Sequence, residues 1–422
     1  WPDLFVTSYG DCILYRNNRD GTFTDVTERA GVKTSGWTTS AVWFDYDNDG
    51  KLDLFVCSYV DYSGKEHTKC SDDKTSLTYY CPPRIFPGTL SYLYHNNGDG
   101  TFTEVRKGTD IDTSEGKALG VVAADMNNDG RMDLFVANDM APNFLFMNRG
   151  RGFEEIALPA EVAYSRNGVA RSGMGVDAAD LFGSGYQDLF VANIDQEMYS
   201  LYRNQKNETF RDAAAENEIA PLTRSMSGWG LKFFDYDNDG ALDLIIANGH
   251  PDDHIGERSA LSVSYKEPLL LFHQEGGRLR HVPGGIAGPA FSTPYAGRGL
   301  AVGDFNNDGL VDVLITTNGG APVLLKNESA RGNHWLGLKL RGTACNCDAI
   351  GAKIRWSAGG VVRSRNVNGG GSYLSAHDPR VVLGTGSTAA IEWVEITWPK
   401  PSGKVQRIAN PPMDRYMTVT EG

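Results

Sequence analysis

With 422 residues, 41% of them hydrophobic, and 49 glycines, the chain can bury a large core in one or two domains and make many tight turns between short strands. No apolar run is long enough to span a bilayer as a helix, and no secretory leader is legible. A net charge of −13 argues against nucleic acid as a partner.

The chain opens on Trp1-Pro2-Asp3-Leu4-Phe5-Val6, which matches only the tail of a longer unit; that copy is expected to continue upstream of Trp1. The whole unit stands at Asp45-Tyr46-Asp47-Asn48-Asp49-Gly50-Lys51-Leu52-Asp53, an acidic loop running straight into the apolar strand Leu54-Phe55-Val56. It returns at Asp125–Val136, Asp235–Ile246 and Asp304–Ile315, with a degraded copy at Asp180–Val191. Repeats of this kind decide the fold and are read first.

Oxygen-bearing side chains fall at positions 1, 3, 5 and 9 of each loop, glycine at 6, and position 7 offers its backbone carbonyl. The candidate ligands in the first full copy are Asp45, Asp47, Asp49, Lys51 and Asp53. In the second they are Asp125, Asn127, Asp129, Arg131 and Asp133. The later copies supply Asp235, Asp237, Asp239, Ala241 and Asp243, then Asp304, Asn306, Asp308, Leu310 and Asp312. Alternate oxygens on a tight turn suit a hard cation with six to eight oxygen ligands, which means calcium, about four ions in all. Glycine supplies the positive φ that the bend needs. Binding is expected to be strongest at Asp45–Asp53 and Asp235–Asp243 and weaker where asparagine enters. It is expected to be lost at Asp180–Asp188, where Phe182 and Ser184 replace ligands. An EF-hand is excluded, because position 12 is Val56, Val136, Ile246 or Ile315 where a bidentate glutamate is needed. Four bound calcium ions would offset more than half of the net charge.

After each acidic strand comes a second signature, as in Leu14-Tyr15-Arg16-Asn17, Leu93-Tyr94-His95-Asn96 and Leu145-Phe146-Met147-Asn148. A hairpin turn such as Asp20-Gly21 or Asp99-Gly100 follows, then another strand. A small-residue strand, such as Ala118–Ala124, precedes each loop. Units of about four strands, with no helical periodicity between them, predict an all-β protein built as a six- or seven-bladed β-propeller. Two long insertions interrupt the repeats. Val60–Gly88 holds Cys70 and Cys81 and is expected to be stapled by a disulfide between them. His250–Pro268 holds His250, Asp252, Asp253 and His254, which read as a solvated loop before they read as a metal site.

The repeats stop near Asn327. Residues 1–327 form the propeller and 328–422 a separate small β-rich domain, with alternating strands at His334–Leu340, Val361–Val367 and Trp393–Trp398. Six cysteines with no zinc or haem spacing suggest an oxidising compartment.

On these residues the acidic repeats resemble FG-GAP/VCBS repeats, the blade type of integrin α-subunit heads. The C-terminal stretch resembles the ASPIC/UnbV domain, through Gly332-Asn333-His334-Trp335-Leu336, Asp348-Ala349-Ile350-Gly351-Ala352-Lys353, Gly369-Gly370-Gly371-Ser372-Tyr373-Leu374-Ser375 and Val382-Leu383-Gly384-Thr385-Gly386. Together they resemble the cartilage-acidic-protein-like bacterial family. That resemblance implies calcium binding, a secreted, periplasmic or cell-surface location, adhesion or matrix contact, and no catalytic residue. Cys345-Asn346-Cys347 departs from its pattern. These two cysteines are too close for an ordinary disulfide with each other. Pairing with Cys12 or Cys57, contact with a partner, or two reduced thiols all stay open.

The functional expectation is an extracytoplasmic calcium-binding scaffold that engages a protein or glycan partner, with rigid blades presenting variable loops. The alternative is a hydrolase, lyase or biosynthetic accessory enzyme with its site in the propeller channel. No GxSxG or HExxH motif supports it.

Overall fold

The computed structural model describes residues 1–63, 68–71, 78–258, 263–330 and 332–422. Each repeat folds as one antiparallel sheet. Blade 1 has three strands, Leu4–Val6, Ile13–Asn17 and Phe23–Asp25. Blade 2 is Thr38–Phe44, Asp53–Ser58, Tyr92–Asn96 and Phe102–Glu104; blade 3 is Ala118–Ala124, Asp133–Asn138, Phe144–Asn148 and Phe153–Glu155. Blade 4 is Val176–Ala179, Asp188–Val191, Ser200–Asn204 and Phe210–Asp212; blade 5 is Gly228–Phe234, Asp243–Asn248, Leu270–Glu275 and Arg278–His281. Blade 6 closes the series with Gly297–Gly303, Asp312–Thr317 and Val323–Leu325.

The six sheets are β-propeller-like, and the first strands of blades 2 to 6 pack side by side in sequence. Those first strands are short on bulk for a reason. A β-carbon on Gly120 would sit 2.3 Å from the Met174 carbonyl, and one on Gly230 would sit 2.4 Å from the Leu300 amide. The second strands of blades 2 to 5 are buried on both faces, which is why they read as continuous apolar runs. At the two ends of the row, apolar side chains stay open: Leu4 and Val6 on blade 1, Leu314 and Leu324 on blade 6.

Beyond Leu325 the chain forms two further sheets. One orders Val381–Gly386, His334–Arg341 and Tyr416–Thr420. The other orders Val361–Asn366, Lys353–Ala358, Trp393–Thr397 and Val405–Ala409. They enclose a core around Trp356 and Trp398. This part is not merely appended. Gly369–Gly370 adds a strand to blade 3 beside Val122 and Ala123. Ser372 then donates its amide to the Val176 carbonyl at 2.6 Å and accepts the Leu231 amide on its hydroxyl at 3.2 Å. The same hydroxyl donates to the Leu300 carbonyl at 2.7 Å. The Leu374 amide reaches Ser40 Oγ at 3.1 Å, and His377 Nδ1 accepts the Val302 amide at 3.2 Å. The segment 369–378 thus bonds to the first strands of blades 2 to 6 and runs along the propeller axis.

Of the insertions, Cys70–Cys81 is a disulfide with Cα atoms 5.2 Å apart. His250 is buried. Its Nε2 lies 3.1 Å from Asp195 Oδ1 and its Nδ1 accepts the Asp252 amide, so it ties down its loop. Cys12, Cys57, Cys345 and Cys347 are free thiols, so neither Cys345 nor Cys347 pairs with the propeller cysteines. Among the described residues no helix is long and apolar enough to cross a membrane.

Candidate metal centres

Every loop is built on two carboxylates that hold backbone. The position-1 aspartate accepts amides across the turn. Asp45 takes those of Asp49 and Gly50, Asp125 those of Asp129 and Gly130, and Asp304 those of Asp308 and Gly309, all at 2.7–3.1 Å. The position-9 aspartate ties the loop start to the third strand. Asp53 accepts the Tyr46 and Asn96 amides, Asp133 those of Met126 and Asn148, Asp243 those of Tyr236 and Gln274, and Asp312 those of Phe305 and Asn327. Position 4 carries the left-handed conformation at Asn48, Asn128, Asn238 and Asn307, with φ near 60°.

Positions 3 and 5 bring oxygen to the same centre. One oxygen each of Asp45, Asp47 and Asp49, and of Asp235, Asp237 and Asp239, lie within 4.8 Å of one another. Asp235 Oδ1 is buried and has no hydrogen-bond partner. The all-oxygen sets therefore fit calcium. Asp53 lies apart from the first triplet. It groups with Asp47 and with His95, and Asp243 groups with Asp237 and His273. In the asparagine loops, Asn127 accepts the Asp129 amide on Oδ1 and donates to Glu208, a residue of blade 4. Asn306 likewise accepts the Asp308 amide. The position-7 side chains differ. Lys51 and Arg131 turn back onto Asp49 and Asp129, whereas Ala241 and Leu310 carry no charge.

Burial sets the electrostatics. It pushes Asp45 up to about 6, Asp53 up to about 8 and Asp243 up to about 6, and it holds Asp133 and Asp235 well above the usual carboxylate range. A divalent cation bound at such a centre would supply the charge that keeps these groups ionised.

The degraded loop keeps its frame and loses its centre. Asp180 still accepts the Ser184 and Gly185 amides, and Asp188 those of Leu181 and Asn204. At position 3, Phe182 carries the guanidinium of Arg203 over its ring at 4.6 Å, a cation–π contact where the other loops gather oxygens.

Sequence inspection missed the connections between loops. In blades 3 to 6 an asparagine or glutamine at or next to the end of the third strand reaches the previous blade: Asn148 donates to the Tyr46 carbonyl, Asn204 to Met126, Gln274 to Leu181 and Asn327 to Tyr236. Position 4 reaches forward. Asn48, Asn128 and Asn238 donate to the carbonyls of Gly130, Gly185 and Gly309. The recurring Asn after Leu-aromatic-x was the legible signal. The C-terminal domain covers this ring of loops. The Tyr416 hydroxyl donates to Asp304 Oδ2 at 2.8 Å, Arg365 lies 3.9 Å from Asp235, and a β-carbon on Gly309 would overlap the Trp335 indole. A cavity of about 350 Å³, lined by Asp177, Lys232, Asp235, Arg365, His377 and Asp378, lies between the loops and that domain.

Residues 1–56, 87–136, 125–191 and 180–246 match the FG-GAP-like repeat family, and residues 342–422 match ASPIC and UnbV. Cartilage acidic protein 1 of Xenopus tropicalis is 24% identical over 416 residues, 95% of this chain and 57% of that protein. The Homo sapiens protein of the same name is 26% identical over 344 residues, 78% of this chain and 40% of that one. The chain therefore spans about half the length of the curated relatives it matches. Among solved structures, an Agrocybe aegerita lectin that recognises non-reducing terminal N-acetylglucosamine aligns with TM-score 0.34 at 16% identity, covering 77% of this chain and 90% of the lectin. The Vibrio biofilm matrix protein Bap1 aligns with TM-score 0.34 at 12% identity, covering 96% and 56%. The repeats, the loops and the domain laid over them lead to one assignment: this chain belongs to the FG-GAP-like repeat proteins and carries an ASPIC/UnbV domain after its blades.

Proposed function

We propose that the chain is an extracytoplasmic, calcium-stabilised scaffold that binds a protein or glycan partner. The observation that carries this is the placement of the oxygen-rich loops. They sit where neighbouring blades meet and where the C-terminal domain rests on them, so a cation at each loop neutralises crowded carboxylates at a joint. The Cys70–Cys81 disulfide agrees with an oxidising compartment. The segment 369–378 lies along the axis, which is where the alternative enzymatic site was expected; this favours the scaffold.

The test is thermal melting with calcium and with chelator, together with elemental analysis. With Kd near 10⁻⁴ M and free calcium near 1 mM, each site contributes about 1.4 kcal/mol, and four sites contribute about 5–6 kcal/mol. We expect a large fall in Tm on chelation and calcium in the native protein. An unchanged midpoint with no calcium found would overturn the calcium-dependent scaffold. Stoichiometric capture of one protein or glycan from extracellular material tests the partner; turnover lost on a point change in the axis would favour the enzyme.

A further inference from the structure

Two of the loops carry a donor set that oxygen chemistry does not explain. His95, on the third strand of blade 2, places Nδ1 3.3 Å from Asp47 Oδ2 and 3.4 Å from Asp53 Oδ1. His273, at the same place in blade 5, places Nδ1 3.9 Å from Asp237 Oδ2 and 3.0 Å from Asp243 Oδ1. In both, the ring nitrogen is shielded from solvent; that of His95 makes no aligned hydrogen bond, and that of His273 is paired with Asp243. In both, a tyrosine at position 2 stands edge-on to the imidazole, Tyr46 at 6.1 Å and Tyr236 at 5.8 Å between centroids. The carboxylates are anchored behind, Asp53 and Asp243 each on two backbone amides. One amide bonds each oxygen, Asn96 and Gln274 holding the oxygen that faces the imidazole, and such outer hydrogen bonds are what metal ligands ordinarily have.

The set is complete in only these loops. Where position 3 is Asn127, Phe182 or Asn306, the third strand carries Met147, Arg203 or Lys326. Histidine thus occurs only beside an aspartate at position 3, a pairing that a core or solvated histidine would not require.

We propose that Asp47, Asp53 and His95, and likewise Asp237, Asp243 and His273, form two sites for a divalent transition ion of the zinc class, which overlap the calcium loops at their aspartates and differ from them in the histidine. One nitrogen and two carboxylate oxygens suit zinc and its neighbours, whereas calcium takes oxygen alone. An ion with bonds of about 2.0–2.1 Å in tetrahedral geometry has ligand–ligand edges of about 3.3–3.4 Å, as the two imidazole–carboxylate separations of blade 2 have; those of blade 5 are 3.0 and 3.9 Å and must even out around an ion. His95 and Asp47 are partly exposed, so solvent can supply the fourth ligand. Asp47 and Asp237 belong to both donor sets, so the loops in blades 2 and 5 can choose between two kinds of ion while those in blades 3 and 6 cannot.

The experiment titrates the metal-stripped full chain with Co²⁺ and with Zn²⁺. Four-coordinate Co²⁺ should give intense visible absorption that saturates at two ions per chain and is displaced by Zn²⁺. His95→Asn and His273→Asn should each remove half of it and the double variant all of it, with the circular dichroism of the parent. Asp49→Asn, which spares the proposed set, should keep the full signal while lowering calcium uptake. Undiminished Co²⁺ absorption in the double histidine variant, or none in the parent, would overturn the proposal. Calcium binding is measured separately by equilibrium dialysis, so loss of the calcium scaffold leaves this outcome legible, and the reverse.

Discussion

Asp188 holds the Leu181 and Asn204 amides in a loop whose third position is Phe182, and so shows that the ninth carboxylate has work of its own. Asp188→Ala should cost about 1–3 kcal/mol per orphaned amide and leave calcium stoichiometry unchanged, as read by urea denaturation and elemental analysis. Glu267 gives the clearest pH dependence outside the loops. It is buried, accepts the Ser227 amide, and lies near Asp195 and Arg298; burial pushes it up to about 8 from an ordinary 4.5. A carboxyl whose folded value is raised keeps its proton longer in the folded state, so its contribution to stability falls as pH rises from about 4.5 to about 8. Glu267→Gln should flatten that slope, seen as a smaller difference in denaturation midpoint between pH 5 and pH 8 at fixed calcium.

At the scale of the element, a blade is one sheet whose loop bonds to the loops on both sides. The third-strand asparagines reach back and the position-4 asparagines reach forward, so the ring of loops is cross-bonded even without metal. Asn148→Ala leaves the half-buried Tyr46 carbonyl and the buried Met132 carbonyl without their donor. It should cost about 1–3 kcal/mol, measured in chelator so that the calcium contribution does not mask it. Joint 4–5 is built differently. There position 4 is Gly183, which has no side-chain amide to donate, and Arg365 reaches the Gly240 carbonyl from the C-terminal domain instead.

For the whole molecule, the decisive element is the strand and turn from Gly369 to Asp378. Gly370 and Gly371 have φ of 70° and 90°, and a β-carbon on Gly371 would lie 2.8 Å from Asp177 Oδ1. Both the backbone conformation and the space require glycine. Because this segment bonds to five blades, propeller and C-terminal domain should unfold together. Gly371→Val should lower the midpoint of both by the same amount, by about 2–4 kcal/mol. Tryptophan fluorescence and far-ultraviolet circular dichroism check this; two separated transitions in the parent would show that the axis segment does not couple the domains.

The chain's own residues determine the blade and the loop frame, because these depend on neighbours within a dozen positions. An Asp-x-Asp-Asn-Asp-Gly turn makes its own hydrogen bonds, and Asp-Leu-Phe-Val is apolar enough to lie buried on both faces. Fold class, repeat positions, the four oxygen-bearing loops and the Cys70–Cys81 bridge were legible for that reason. Tertiary structure alone decided what touches those loops. His95 lies more than forty positions from Asp47, Arg203 covers Phe182 from another strand, and Ser372 meets Val176, Leu231 and Leu300 only because three blades converge on one axis. Contacts of that range carry no periodicity in the chain. They exist only once burial of the strands has brought the blades side by side.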